Sequence, residues 1–138
     1  MTTDAMSRGF LEQAEDALAH AEVSLSRRRW GMTVRRSQEA VELAVKAALR
    51  WVGIEAPKQH DVAEVLRAAR GKFPASFTGD IDRFAAWSTE LADKRIVSFY
   101  GDERTGEPAN ALFGEADASL AAARARQVVE SVRRLIGV

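Results

Sequence analysis

The sequence predicts an all-α fold: an up-and-down helical bundle of four long helices plus one short helix. Three observations carry this expectation. The stretch Val34 to Gly53, VRRSQEAVELAVKAALRWVG, places Val34, Val41, Val45, Ala48 and Val52 on one face at helical spacing. Other segments carry apolar stripes of the same period, and none alternates as a strand would. Hydrophobic residues make up 46% of the 138, enough to bury one sizeable core.

In order along the chain, residues 1–6 read as a flexible N-terminal tail and 7–138 as a single domain. Ser7 is a candidate N-cap for a first helix running from about Arg8 to Arg28. Its stripe is Phe10, Leu11, Ala14, Leu18, Ala21 and Leu25. Glu12, Glu15 and Asp16 near its start and Arg27 to Arg29 at its end suit the helix dipole. The short connection Arg29-Trp30-Gly31 implies an antiparallel neighbour. The neighbour is the central helix, where Ala40, Ala44, Ala47 and Trp51 widen the apolar face to more than half the cylinder. A helix that apolar packs against several others. Gly53 can take the left-handed conformation that ends it.

A loop containing Pro57 leads to a short third helix, about Asp61 to Ala69. Asp61 and Glu64 form a candidate capping box, and Val62, Val65, Leu66 and Ala69 supply the apolar side. Gly71 ends it, and Pro74 is expected to prevent resumption. Thr78 or Asp80 can cap a fourth helix over about residues 80–98, with Ile81, Phe84, Ala85, Ser88, Leu91 and Ala92 inward. Tyr100 to Gly114, with three glycines and Pro108, reads as a loop, and loops of that length are often functional or mobile. The last helix, about Glu115 to Ile136, carries Leu120, Ala121, Ala125, Val128, Val132 and Leu135.

Composition narrows the function classes. Lys+Arg and Asp+Glu are both 20, so the whole surface is not built to coat nucleic acid or anionic membrane. With no Cys, disulfide and thiol chemistry are excluded. Two isolated histidines make no recognisable zinc site, so neither metal nor cofactor is expected. The N-terminus has no apolar core of signal-peptide length, and no apolar run approaches ~20 residues. The expected setting is the cytoplasm, with no membrane partner.

Arg95 breaks the pattern. At ~100° per residue it falls near the centre of the stripe set by Phe84, Ser88, Leu91 and Ala92. A guanidinium aimed inward needs a carboxylate partner or an anionic ligand. Two readings stay open: a fixed ion pair near the helix end, or a site for the phosphate of RNA or a nucleotide. Tyr100, five positions on, could add a hydroxyl. Glu42 and Lys46, i and i+4 on the central helix, are either a surface pair or a site in which Glu42 partners Arg95. His60 either helps cap the third helix or serves as an acid or base. His20 has no assigned role. Arg27, Arg28, Arg29, Arg35 and Arg36 surround the first turn with Trp30 among them. Such a cluster is either a solvated patch or a phosphate patch with a stacking ring.

The stretch SQEAVELAVKAALRWVGIEAPKQHDVAEVLRAA resembles the HEPN family (higher eukaryotes and prokaryotes nucleotide-binding), through Ala40, Glu42, Lys46, Ala47, Pro57, His60, Val62, Val65 and Leu66. The later KRIVSFYGDE, with Arg95, Tyr100 and Asp102, is similar to the family's arginine-bearing helix end. The resemblance spans about residues 8–136. It implies a helical bundle that dimerises, and it gives Arg95 the role of holding phosphate and stabilising the transition state in ribonuclease members. Those members place a histidine four to six residues after the arginine. Here residues 96–102 contain none. Metal-independent RNA cleavage needs a group that activates the 2′-OH and an acid for the leaving oxygen. Tyr100, with an ordinary pKa of ~10, is a poor base near neutrality.

The expectation is therefore a homodimeric module that binds a nucleotide, RNA or a protein partner through Arg95, Tyr100 and the adjacent loop, without the standard ribonuclease activity. Leu43, on the polar side of the central helix, is consistent with a dimer. One alternative is a ribonuclease toxin using Arg95 with Tyr100, Asp102 or His60, paired with a minimal nucleotidyltransferase partner. The other is a purely structural interaction protein in which Arg95 is a core ion pair.

Overall fold

The computed structural model describes residues 2–138. Four long helices frame the molecule: α1 (Thr2–Ser26), α2 (Trp30–Trp51), α5 (Ile81–Asp93) and α8 (Glu115–Ile136). Between them lie the short helices α3 (Ala63–Ala68), α4 (Ala75–Thr78), α6 (Arg95–Tyr100) and α7 (Ala109–Leu112), with a 3-10 turn at Arg70–Lys72. The described residues contain no β-strand, only an isolated bridge between Asp102 and Glu107. No described helix is long and apolar enough to cross a membrane.

The periodicity of α2 translates directly into its position. Val34, Val41, Val45 and Ala48 are fully buried, as are Ala40, Ala44 and Ala47 on the widened face. With so much of its surface apolar, α2 is buried between α1, α8, α5 and α6. A three-residue turn, Arg27 to Arg29, folds α1 back onto α2, and Arg28 takes a positive φ of 60° there. The Ser7 hydroxyl near the start of α1 donates to the Ala47 carbonyl near the end of α2 at 2.7 Å, which sets the pair antiparallel. Helix α8 runs antiparallel to α1: Arg126 meets Glu22, and Arg133 meets Glu15 at 3.4 Å.

Several boundaries differ from expectation, each for a physical reason. The first helix begins at Thr2, within the stretch read as a tail; Met1 lies outside the described residues. Ser7 is thus no N-cap but a buried side chain joining two helices. The Asp61–Glu64 capping box does not form. Asp61 Oδ1 instead accepts the Ala63 N–H at 3.0 Å, and its carboxylate also receives the Ser88 and Thr89 hydroxyls of α5. Pro74 does not stop the chain from turning: with φ −69° and ψ 157° it precedes α4. That turn delivers Phe77 to the core between Phe73 and Phe84, with ring centroids 4.7 and 6.1 Å away. Leu120 is half exposed, because α8 buries Ala118, Ala121, Ala122, Ala125 and Val128 instead.

The expected helix over 80–98 is two helices. It breaks at Lys94, where φ −93° and ψ −1° leave the α-helical path. The Arg95 carbonyl there accepts from Arg35 Nη1 of α2 at 2.8 Å and from the Ser98 hydroxyl at 3.0 Å. The loop read between residues 100 and 114 contains α7, which closes over the start of α2. Asn110 Oδ1 accepts the backbone N–H of Trp30 at 2.5 Å and lies 3.4 Å from that of Gly31. Gly31 permits this approach, since a Cβ at that position would lie 2.7 Å from the Ala109 Cβ.

Candidate functional site

The break at Lys94 determines where Arg95 sits. As the first residue of α6 it is half-buried against α2. Its Nη1 donates to Gln38 Oε1 at 2.6 Å. Gln38 is almost fully buried, and its Nε2 donates to Glu42 Oε1 at 2.9 Å. Glu42 Oε1 also meets His60 Nδ1 at 3.0 Å, while Oε2 receives Lys46 Nζ at 2.8 Å. Arg95, Gln38, Glu42, His60 and Lys46 thus form one hydrogen-bonded chain. Three of its members lie at four-residue spacing along α2, one turn apart on a single face.

Burial alone would raise the Glu42 pKa, because it disfavours the charged carboxylate. The Lys46 and Gln38 hydrogen bonds, the Lys46 charge and the His60 contact outweigh burial and hold it below the ordinary carboxyl value. Glu42 is therefore ionised at neutral pH, so the His60 nitrogen facing it carries the proton. Nε2 of the same ring makes no hydrogen bond among the described residues, on a side chain 56% exposed. The Glu42–Lys46 pair is not the solvated surface pair that spacing alone allows: both side chains are nearly nine-tenths buried.

A crevice of about 430 Å³ opens beside this chain, between α1, α2 and the start of α6. Arg95, Glu42, Glu39 and Leu43 line one side, and Gln13, Asp16 and His20 of α1 the other. Leu43 is partly buried against the core as well as lining the crevice. Among the described residues, no carboxylate comes within ion-pair distance of Arg95. The direct Glu42–Arg95 pairing drawn from the sequence is corrected to a contact relayed by Gln38. Glu39 is occupied by Arg36 at 2.8 Å and Arg35 at 3.5 Å.

The other expected site residues lie apart from this chain. Tyr100 is largely exposed and sits edge-on to Phe99, with centroids 4.8 Å apart. Asp102 serves its own loop, accepting the Arg104 N–H at 2.9 Å. The arginines around the first turn go separate ways. Arg28 pairs with Glu115 at 3.5 Å and lies 5.0 Å from the Trp30 ring centroid, and Arg29 is exposed. Arg35 is bound to the Arg95 carbonyl and lies 4.9 Å from the Phe99 ring centroid, pinning α6 to α2, and Arg36 turns to Glu39. His60 does not cap α3; it belongs to the Glu42 cluster.

Sequence reasoning missed Gln38, Asp16 and His20. A signal for Gln38 was present: it falls between Val34 and Val41 on the buried stripe, the same kind of polar intrusion that marked Arg95. Asp16 and His20 carry no such mark, because they lie on the exposed side of α1 and reach the site only through the packing of α1 on α2.

Comparison with known proteins bears on the whole chain. A family model described as the HEPN domain matches residues 7–135. The chain is also similar to the crystal structure of the protein TT1696 from Thermus thermophilus. The TM-score is 0.75 at 24% sequence identity, over 93% of this chain and 96% of that one, a likeness of fold. No curated protein matches it.

Proposed function

Because this chain belongs to the HEPN family, we propose that it is a HEPN binding module that holds a phosphate of a nucleotide or RNA on Arg95, without the family's standard ribonuclease activity. One observation carries this reading. Arg95 is a half-buried cation at the wall of a ligand-sized crevice, and its side chain is held by a neutral amide. Gln38 orients the guanidinium without neutralising it, so the remaining N–H donors and the full charge are available to an anion. A core ion pair, the purely structural reading, would need a carboxylate against Arg95.

A second reading has its own support. Glu42 holds the His60 ring at Nδ1 and leaves Nε2 without a partner on a half-exposed side chain, as a catalytic acid or base must be presented. The residues after Arg95 contain no histidine, and His60 joins Arg95 through Glu42 and Gln38. In that reading the protein is a metal-independent ribonuclease toxin, with a minimal nucleotidyltransferase as partner.

The deciding experiment is a mixed-RNA incubation without metal, beside binding of labelled RNA and of nucleotides, for the native protein and folded Arg95→Ala. The binding module predicts no cleavage by either protein and ~10- to 100-fold weaker binding by the variant, the size of a lost charge-assisted hydrogen bond. Cleavage that disappears in both Arg95→Ala and His60→Ala would instead establish the ribonuclease. Unfolding of Arg95→Ala with no binding by the native protein would leave only the structural role.

A further inference from the structure

The Glu42–Lys46 pair has one member in each of two pockets. Glu42 lines the Arg95 crevice; Lys46 lines a separate pocket of about 580 Å³. The second pocket is built from the first turns of α1, the last turns of α2 and the loop after α2. Phe10 and Pro57 give it apolar walls, and Lys46, Arg50, Lys58 and Glu55 give it charge. Its size is that of a small-ligand site, roughly 300–1,000 Å³.

The charges in this pocket are unbalanced. Lys46 is neutralised by Glu42, and Arg50, Lys58 and Glu55 make no ion pair among the described residues, which leaves one positive charge in excess. Arg50 is more specific still: its Nε is shielded from solvent and meets no acceptor among the described residues. A shielded donor left unbonded is destabilising, and such groups in folded proteins call for an explanation. The C-terminus of α2 favours a cation and accounts for Arg50 being basic. It accounts neither for the orphaned Nε nor for Lys58 arriving from the following loop. Two cations without an ion pair, in excess over one carboxylate and beside apolar walls, match an anionic head on an apolar body, and the arginine fork is suited to phosphate oxygens.

We propose that this pocket binds a small organic phosphate, its phosphate on Arg50 and Lys58 and its flat apolar body against Phe10 and Pro57. The site is separate from the Arg95 crevice and does not depend on the function assigned there.

Phenyl phosphate is the probe, titrated into the full chain by amide NMR beside inorganic phosphate and phenol. Saturable binding is expected, about tenfold or more tighter for phenyl phosphate than for either fragment, with shifts around residues 6–10 and 50–58. Arg50→Gln and Lys58→Gln are each expected to weaken binding at those residues about tenfold, while Arg104→Gln, an exposed arginine of the loop after α6, leaves it unchanged. Absence of saturable binding at millimolar probe overturns the proposal. So does binding at those residues that both Arg50→Gln and Lys58→Gln leave unchanged. Should Arg50→Gln fail to fold, Lys58→Gln, on a loop residue, decides alone.

Discussion

Glu42 is the residue on which the polar chain converges. Its two oxygens serve Lys46, Gln38 and His60, and its charge is stabilised by them in spite of burial. A carboxyl whose folded pKa is depressed stabilises the fold above its unfolded pKa, and loses that contribution as pH falls through the folded value. Glu42→Gln should therefore cost about 3 kcal/mol near neutrality, where it strands the buried Lys46 ammonium. The difference from the native protein should shrink as the pH drops below the ordinary glutamate range. Urea unfolding at pH 7 and in acid measures both values; a gap that does not change with pH would contradict the ionised, paired Glu42. The sequence flagged Glu42, Lys46, His60 and Arg95 because each type stood out against its surroundings. It could not order them, since Gln38 joins them through an amide whose neighbours are set by the packing of α6 on α2.

Helices α6 and α7 illustrate how an element can depend on residues far along the chain. The start of α2 has no cap from its own preceding residue, Arg29; Asn110 of α7 supplies the acceptor from 80 residues away. Asn110→Ala should cost ~1 kcal/mol, the usual value of an N-cap. It should also speed hydrogen exchange at Trp30 and Gly31 before it affects the rest of α2. Unchanged exchange there would mean that another group caps the helix. The loop that carries α7 turns at Gly101, whose φ of 75° suits glycine and whose missing Cβ would meet the Glu107 carbonyl at 2.4 Å. The glycines and proline of this segment marked a loop correctly in kind. They could not reveal its docking on α2, because that contact uses one asparagine side chain and the absence of one at Gly31.

At the scale of the whole molecule, three of the large apolar side chains left exposed among the described residues gather on α6. Ile96 is 70% exposed and Tyr100 62%, with Phe99 beside them. They adjoin Arg95, so the homodimer expected from the family resemblance would bring two crevices toward each other if it forms on this face. Sedimentation should then show a dimer that Ile96→Glu converts to a folded monomer with its helical content retained, since the side chain is 70% exposed and supports little of the core. A native monomer at micromolar concentration, or a dimer indifferent to Ile96→Glu, would remove α6 as the contact.

The sequence by itself determined the helical class, the four long helices, the central place of α2 and the family. These follow from a period of 3.6 and from residue types at fixed spacing, which act within one or two turns of chain. Only the tertiary structure decided that the fourth helix breaks at Lys94, that Gln38 stands between Arg95 and Glu42, and that His60 turns to Glu42 rather than to its own helix. It alone separated Tyr100 and Asp102 from the polar chain and placed Asp16 and His20 on the crevice. The physical reason is reach. A hydrogen bond is satisfied by whatever group packing brings within ~3 Å, and sequence distance carries no information about that.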